Sequence, residues 1–207
     1  MEIWYLGQGT FRLRTQEGLI IINPYDKKKG LKLMENKAQI FLFSQEHFGY
    51  QSTQFDHQQK HFLIRAPGEY EIGNISIFAQ PTAPASPQER NLAFLIEAEN
   101  LKIAHLGQPS SPLKEETLNR LNSPEILFLP VDSTSHQEVL KVAKQLEAKI
   151  IIPVAKITAS PEEEGTAIKK FSEAASLPFE EKEKLLIKKK DIGEEEKIIV
   201  IKRRGEK

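Results

Sequence analysis

Across the first hundred residues, short apolar and β-branched runs alternate with turn residues. They are Ile3–Leu6, Phe11–Arg14, Leu19–Ile22, Ile40–Phe43, His61–Ile64, Ile75–Ala79 and Leu92–Ala98, and their spacing predicts a meander of strands. The second half changes rhythm. Leu101–His105, Ile126–Leu129 and Lys149–Pro153 read as strands with helical patterns between them, which predicts crossover connections and helices layered on sheet. Ser111-Pro112 opens a segment in which Leu113, Leu118 and Leu121 share one face, with Glu115 and Glu116 placed for a helix N-terminus. Val139, Val142, Ala143 and Leu146 recur at helical spacing between Ser135 and Ala148. Ser160-Pro161 followed by Glu162, Glu163 and Glu164 signals a further helix, whose apolar side is Ile168, Phe171 and Ala175. Gly165 weakens its first turn, so a later start is expected.

Proline and small residues from Pro81 to Pro87 predict an exposed loop, since proline cannot donate within an interior strand. Beyond Pro178, glutamates and lysines surround Leu185–Ile187 and Ile198–Ile201, which read as two edge strands guarded by charge. The closing stretch Lys202–Lys207 reads as a solvated end.

The chain has 207 residues, enough to bury a substantial core, and is expected to form one domain over residues 1–207. Its 29 basic and 29 acidic side chains cancel, so no overall field favours nucleic acid or an anionic membrane. The cluster Lys188-Lys189-Lys190 and the final basic residues are the only candidates for a nucleic-acid contact, and interspersed glutamates count against them. The absence of cysteine excludes disulfides, thiolate zinc sites and cysteine nucleophiles. No run is long enough to span a bilayer, and MEIWYLGQGTF has no basic flank or long apolar centre, so a cytoplasmic protein is expected.

The most informative stretch follows the strand-like run Ile40–Phe43. It reads Ser44-Gln45-Glu46-His47-Phe48-Gly49-Tyr50. Four other phrases accompany it: Trp4-Tyr5-Leu6-Gly7-Gln8-Gly9-Thr10-Phe11, Ile21-Ile22-Asn23-Pro24-Tyr25-Asp26, Ala66-Pro67-Gly68-Glu69-Tyr70-Glu71 and Ile103-Ala104-His105-Leu106-Gly107-Gln108. With Ile152-Pro153-Val154-Ala155, they resemble the metallo-β-lactamase superfamily, in particular the small zinc-dependent hydrolases similar to ascorbate-6-phosphate lactonase. The resemblance covers nearly the whole chain. It implies an α/β fold, an αββα sandwich of two mixed β-sheets flanked by helices, with a metal pocket at one edge.

That family places a His-x-His-x-Asp-His loop where this chain has Gln45, His47, Gly49 and Tyr50. The same comparison puts Gln8 in a usual histidine position, Asn23 in an aspartate slot, Gln108 where a carboxylate bridges two metals, and Ala155 at the last histidine. A further family histidine falls near Ala83. The resemblance therefore implies a site from which ligands are missing, with no catalytic residue, no metal and no cofactor. Crowded imidazoles and carboxylates need the cation that compensates them, so the neutral residues at these positions belong together.

The candidate ligand-binding pocket comprises Gln8, Gln45, His47, Tyr50, Gln108, Asp132 and His136. His47 reads as a hydrogen-bonded loop residue, and Glu46 as exposed on the other side of an extended segment. His105 reads as structural support. Asp132 and Ser135 read as helix caps rather than partners of His136 in a nucleophilic site, because adjacency in sequence does not make a triad. Gly7-Gln8-Gly9 lacks the third glycine and the helix of a dinucleotide loop and reads as a turn. The resulting expectation is a catalytically silent binding or interaction module. Its partner would be a small polar ligand or a protein, either an active relative or a second copy, with neither membrane nor nucleic acid. The alternative is a hydrolase with an atypical site, metal-dependent around His47 or metal-free around Asp132–His136.

Overall fold

The computed structural model describes residues 1–24, 37–45, 60–82, 90–109, 112–131, 136–155 and 161–204. These build a six-stranded and an eight-stranded sheet, packed face to face. The elements in chain order are β1 (Glu2–Gly7), β2 (Thr10–Arg14), β3 (Leu19–Ile22), β4 (Ile40–Leu42), β5 (Phe62–Ile64), β6 (Gly68–Ile72), β7 (Ile75–Thr82), β8 (Asn91–Ala98) and β9 (Leu101–His105). There follow α1 (Glu115–Arg120), β10 (Ile126–Pro130), α2 (His136–Leu146), β11 (Ile150–Val154), α3 (Pro161–Ala175), β12 (Phe179–Lys182), β13 (Leu185–Leu186) and β14 (Lys197–Ile201). One sheet runs β13-β1-β2-β3-β4-β5 and the other β12-β14-β11-β10-β9-β8-β7-β6.

Alternation explains the sandwich. Ile3 and Tyr5 of β1, Phe11 and Leu13 of β2, and Ile20 and Ile22 of β3 face inward, where they meet Ile77, Phe94, Ile96, Ile103 and Phe128 from the other sheet. Each such side chain contributes about 1.5–3 kcal/mol when fully buried. On the outer face of the eight-stranded sheet, Leu127, Ile151 and Ile198 are covered by Val139, Ala143 and Leu146 of α2 and by Phe171 of α3. Strands covered on both faces lose the alternating pattern, which is why β10 and β11 read as continuous apolar runs.

Several expectations need correction. The first half is a meander only in part: β1–β2–β3 and β6–β7–β8–β9 are successive antiparallel neighbours, whereas β3, β4 and β5 run parallel to one another. Runs of three or four residues record which face is apolar and carry no information about direction. The strand Ile198–Ile201 is not an edge. It is β14, lying between β11 and the unforeseen β12, which takes the edge with its glutamates and lysines. β6 also escapes the sequence reading, because an edge strand with the burial pattern of Gly68–Ile72 alternates too weakly. Pro81 and Thr82 extend β7 and pair with Leu92 and Asn91. Proline is tolerated there because β6 pairs no further than Ala79, so β7 has one neighbour at that point. The helix predicted from Ser111-Pro112 starts only at Glu115, and Leu121 caps it through its N–H on Thr117. Gly165 does not delay α3, which begins at Pro161. Among the described residues no helix is long and apolar enough to cross a membrane.

Candidate functional site

The carboxyl ends of the parallel strands gather at one rim. Asn23 follows β3, Ser44 and Gln45 follow β4, His105 ends β9 with Gln108 beyond it, and Ala155 follows β11. The β1–β2 hairpin delivers Gln8 to the same rim, since Thr10 at the start of β2 lies beside the end of β3. In α/β sheets this end of the strands is the usual place for a ligand.

A series of contacts ties these residues together. The Thr10 hydroxyl donates to the Asn23 carbonyl. Asn23 Oδ1 accepts from the Ser44 N–H at 2.8 Å, and the Ser44 carbonyl accepts from the Leu92 N–H at 2.8 Å, joining the two sheets. Asn91 Oδ1 then accepts from the Gln108 N–H at 2.8 Å, and its amide nitrogen donates to the Leu106 carbonyl at 3.1 Å and to Thr82. Gln108 Nε2 reaches the Ala155 carbonyl at 3.5 Å. A row of mutually tilted rings adjoins the series: His105 lies 5.7 Å from Phe128, Phe128 4.4 Å from Phe11, and Phe11 4.9 Å from Tyr5. The Tyr5 hydroxyl accepts from the Gly9 N–H at 3.3 Å and donates to Glu164 of α3.

Local sequence accounts for the geometry. Gln8 and Gly9 both have positive φ, 51° and 71°, as the tight primed hairpin turns require. Asn23 also sits at a left-handed φ of 54°, a conformation asparagine tolerates better than most residues. Gly107, at φ 66°, leaves the space that Asn91 occupies: a Cβ there would stand 2.3 Å from Asn91 Oδ1.

Among the described residues, the side chains at the strand ends themselves, Asn23, Ser44, Gln45, His105 and Gln108, are polar and carry no fixed charge. His105 is 2 % exposed, and burial pushes its imidazole down to about 4, so it is neutral near pH 7. Its Nδ1 accepts from the Gly107 N–H at 3.1 Å, which leaves the proton on Nε2. That nitrogen, Gln8 Oε1, Gln45 Oε1 and Ser44 Oγ are buried without a hydrogen-bond partner among the described residues. Of the pocket residues expected from sequence, Gln8, Gln45 and Gln108 are placed at this rim. His47, Tyr50 and Asp132 lie outside the described residues, as does Ala83. His136 opens α2, and its side chain is likewise outside the described set. Sequence reading missed Ser44, Asn91 and Thr10. The available signal was a buried-type polar residue bordering an apolar run, as Asn91 precedes Leu92–Ile96.

The model of a beta-lactamase superfamily domain matches residues 2–155, most of the chain. The chain belongs to the metallo-beta-lactamase superfamily. No curated protein matches it. Among solved structures, a Thermotoga maritima protein assigned to the zinc-dependent hydrolases of this superfamily is 21 % identical, with 97 % of each chain covered and a TM-score of 0.78. The isothiocyanate hydrolase from Delia radicum gut bacteria is 12 % identical over 97 % of this chain and 96 % of its own, with a TM-score of 0.65. The metallo-beta-lactamase fold protein YhfI of Bacillus subtilis is 8 % identical over 97 % and 96 %, with a TM-score of 0.63. These likenesses concern the fold.

The described rim residues do not by themselves supply the donor set of the metal that the superfamily implies. Zinc takes imidazole, thiolate or carboxylate donors. Here Gln45 and Gln108 present amides and Ala155 a methyl group, and the Gln108 amide nitrogen is turned toward the Ala155 carbonyl. Among the described residues no group of three or more His, Cys, Asp or Glu is placed to hold a metal ion.

Proposed function

We propose that this chain is a catalytically silent member of the metallo-beta-lactamase superfamily that serves as a binding or interaction module. The observation that carries this reading is the contact of Gln108 with Ala155. The position matched by resemblance to the bridging carboxylate is an amide, and it is spent on the backbone of the position matched to the last histidine. Asn23 supports the same reading, because its side chain brackets the backbone of Ser44. Neutral rim residues remove the repulsion that a metal would otherwise have to compensate. The phrase Pro67-Gly68-Glu69-Tyr70, which resembles one of the lactonase-like branch, supports the proposal of a relative of that branch, and the proposed setting is the cytoplasm with a small polar ligand or a protein as partner.

The test is turnover. Purified protein supplied with zinc, manganese or iron is assayed against lactones, esters, thioesters and phosphodiesters. The expected result is no hydrolysis above buffer, unchanged in a His47→Ala variant. Metal-dependent turnover lost on His47→Ala, or metal-free turnover lost on Asp132→Asn, would overturn the proposal.

A further inference from the structure

A groove away from the rim has a charge pattern that neither the fold nor the proposed function uses. It runs along the outer face of β7, between the edge strand β6 and helix α1, as two adjoining cavities of about 500 and 950 Å³ that share Glu69, Phe78 and Arg120. Its combined volume exceeds that of an ordinary small-molecule pocket, which is roughly 300–1,000 Å³. From Ser76 to Thr82 its length is about 20 Å at the usual rise of a strand, room for about six extended residues.

Strand register fixes the pattern of the floor. Glu69, Phe78 and Leu95 form one cross-strand row on the outer face, and Glu71, Ser76 and Glu97 form the next. Glu71 and Glu97 therefore flank Ser76 from two strands apart, about 9 to 10 Å, with Glu69 beside them. Glu69 and Glu71 meet no cation among the described residues, while Glu97 makes only a loose contact of 3.7 Å with Lys102. Near the middle, the Arg120 guanidinium lies 5.4 Å from the Phe78 ring and 3.8 Å from Glu116. An aromatic floor beside carboxylates thus already receives one cation from the chain itself. Lys114 and Glu116 line the other cavity, so the acidic excess is confined to the Ser76 end of the groove, where Glu69, Glu71 and Glu97 face Arg120.

We propose that this groove docks an extended basic segment of a partner protein. Its lysine or arginine side chains meet Glu69, Glu71 and Glu97, and its apolar side chains lie on Phe78 and Leu95. The acidic end lies at the opposite end of β7 from Thr82, so the proposal stands whether or not the rim holds metal. Nucleic acid is repelled by the same charges.

The test uses a blocked peptide of about six residues alternating lysine and valine, and its glutamate counterpart, titrated into the whole protein and followed by NMR and calorimetry. Saturable binding of the lysine peptide is expected, with shifts confined to β6, β7 and α1. The combined Glu69→Gln, Glu71→Gln and Glu97→Gln variant should weaken it roughly tenfold or more, as should salt raised to about 0.5 M. These residues lie on the surface, and circular dichroism and thermal unfolding of the variant establish that it remains folded. Absence of saturable binding, binding unchanged in the triple variant, or equal binding of the glutamate peptide would overturn the proposal. So would sedimentation showing that the free protein dimerises through this face.

Discussion

The space between the two sheets and the rim at their strand ends differ in how they are held. Between the sheets, Phe11, Phe94, Ile96, Ile103 and Phe128 pack with almost no exposure, and alternation along each strand dictates which residues they are. At the rim, single hydrogen bonds such as those of Asn23, Asn91 and Gln108 connect segments far apart in sequence, and four buried polar atoms lack partners among the described residues. The sandwich therefore draws most of its stability from apolar layers, while the rim is held by single polar contacts. On the function proposed above, the superfamily fold persists here while the donor set at its strand ends has changed character.

The comparison breaks most sharply at Phe128, whose ring packs at a tilt between those of Phe11 and His105. Phe128→Ala should cost about 3–5 kcal/mol in urea unfolding, because the packed layers around it cannot close the cavity. A loss smaller than a rim substitution would reverse the ranking of the two regions.

His105 belongs to both regions and sharpens the boundary. Its folded value is lowered to about 4 from 6.5, so the unfolded chain takes up the proton first. Stability attributable to His105 should be complete above pH 6.5, fall as the pH drops toward 4 and level off below it. A shift of this size corresponds to a loss on the order of 3 kcal/mol. The difference in unfolding free energy between wild type and His105→Leu, measured across that window, isolates the effect; parallel curves would mean that His105 is hydrated or paired.

Rim architecture has its own weak point at Gly107. Gly107→Ala forces a Cβ against Asn91 Oδ1 at a left-handed φ of 66°, and should lower stability by about 1–3 kcal/mol in thermal unfolding. The smallest effect is expected at Gln108, whose side-chain bond is long and partly exposed. Gln108→Ala should cost no more than about 1 kcal/mol. A larger loss would make the rim a structural keystone rather than a separable layer.

Much of the sandwich is legible in the sequence because period-two alternation directly records an inner and an outer face, as in Ile3, Tyr5 and Gly7 or Ile75, Ile77 and Ala79. Strand direction is not, since Leu19–Ile22 and Ile40–Leu42 read the same whichever way they run. Nor is rank within a sheet. Ile198–Ile201 is flanked by charges in sequence, yet β12 shields it as an interior strand. At the rim, the neutral character of Gln8, Gln45 and Gln108 is visible from residue identity alone. The bracing by Thr10, Ser44 and Asn91 is not, because it joins residues whose proximity arises only when the two sheets meet.

Metal content tests the central claim most directly. Protein purified without chelator and analysed by elemental mass spectrometry should carry zinc, manganese and iron only in traces, with no change on His47→Ala. Stoichiometric metal that disappears in His47→Ala would show that the rim still coordinates an ion and would contradict the account.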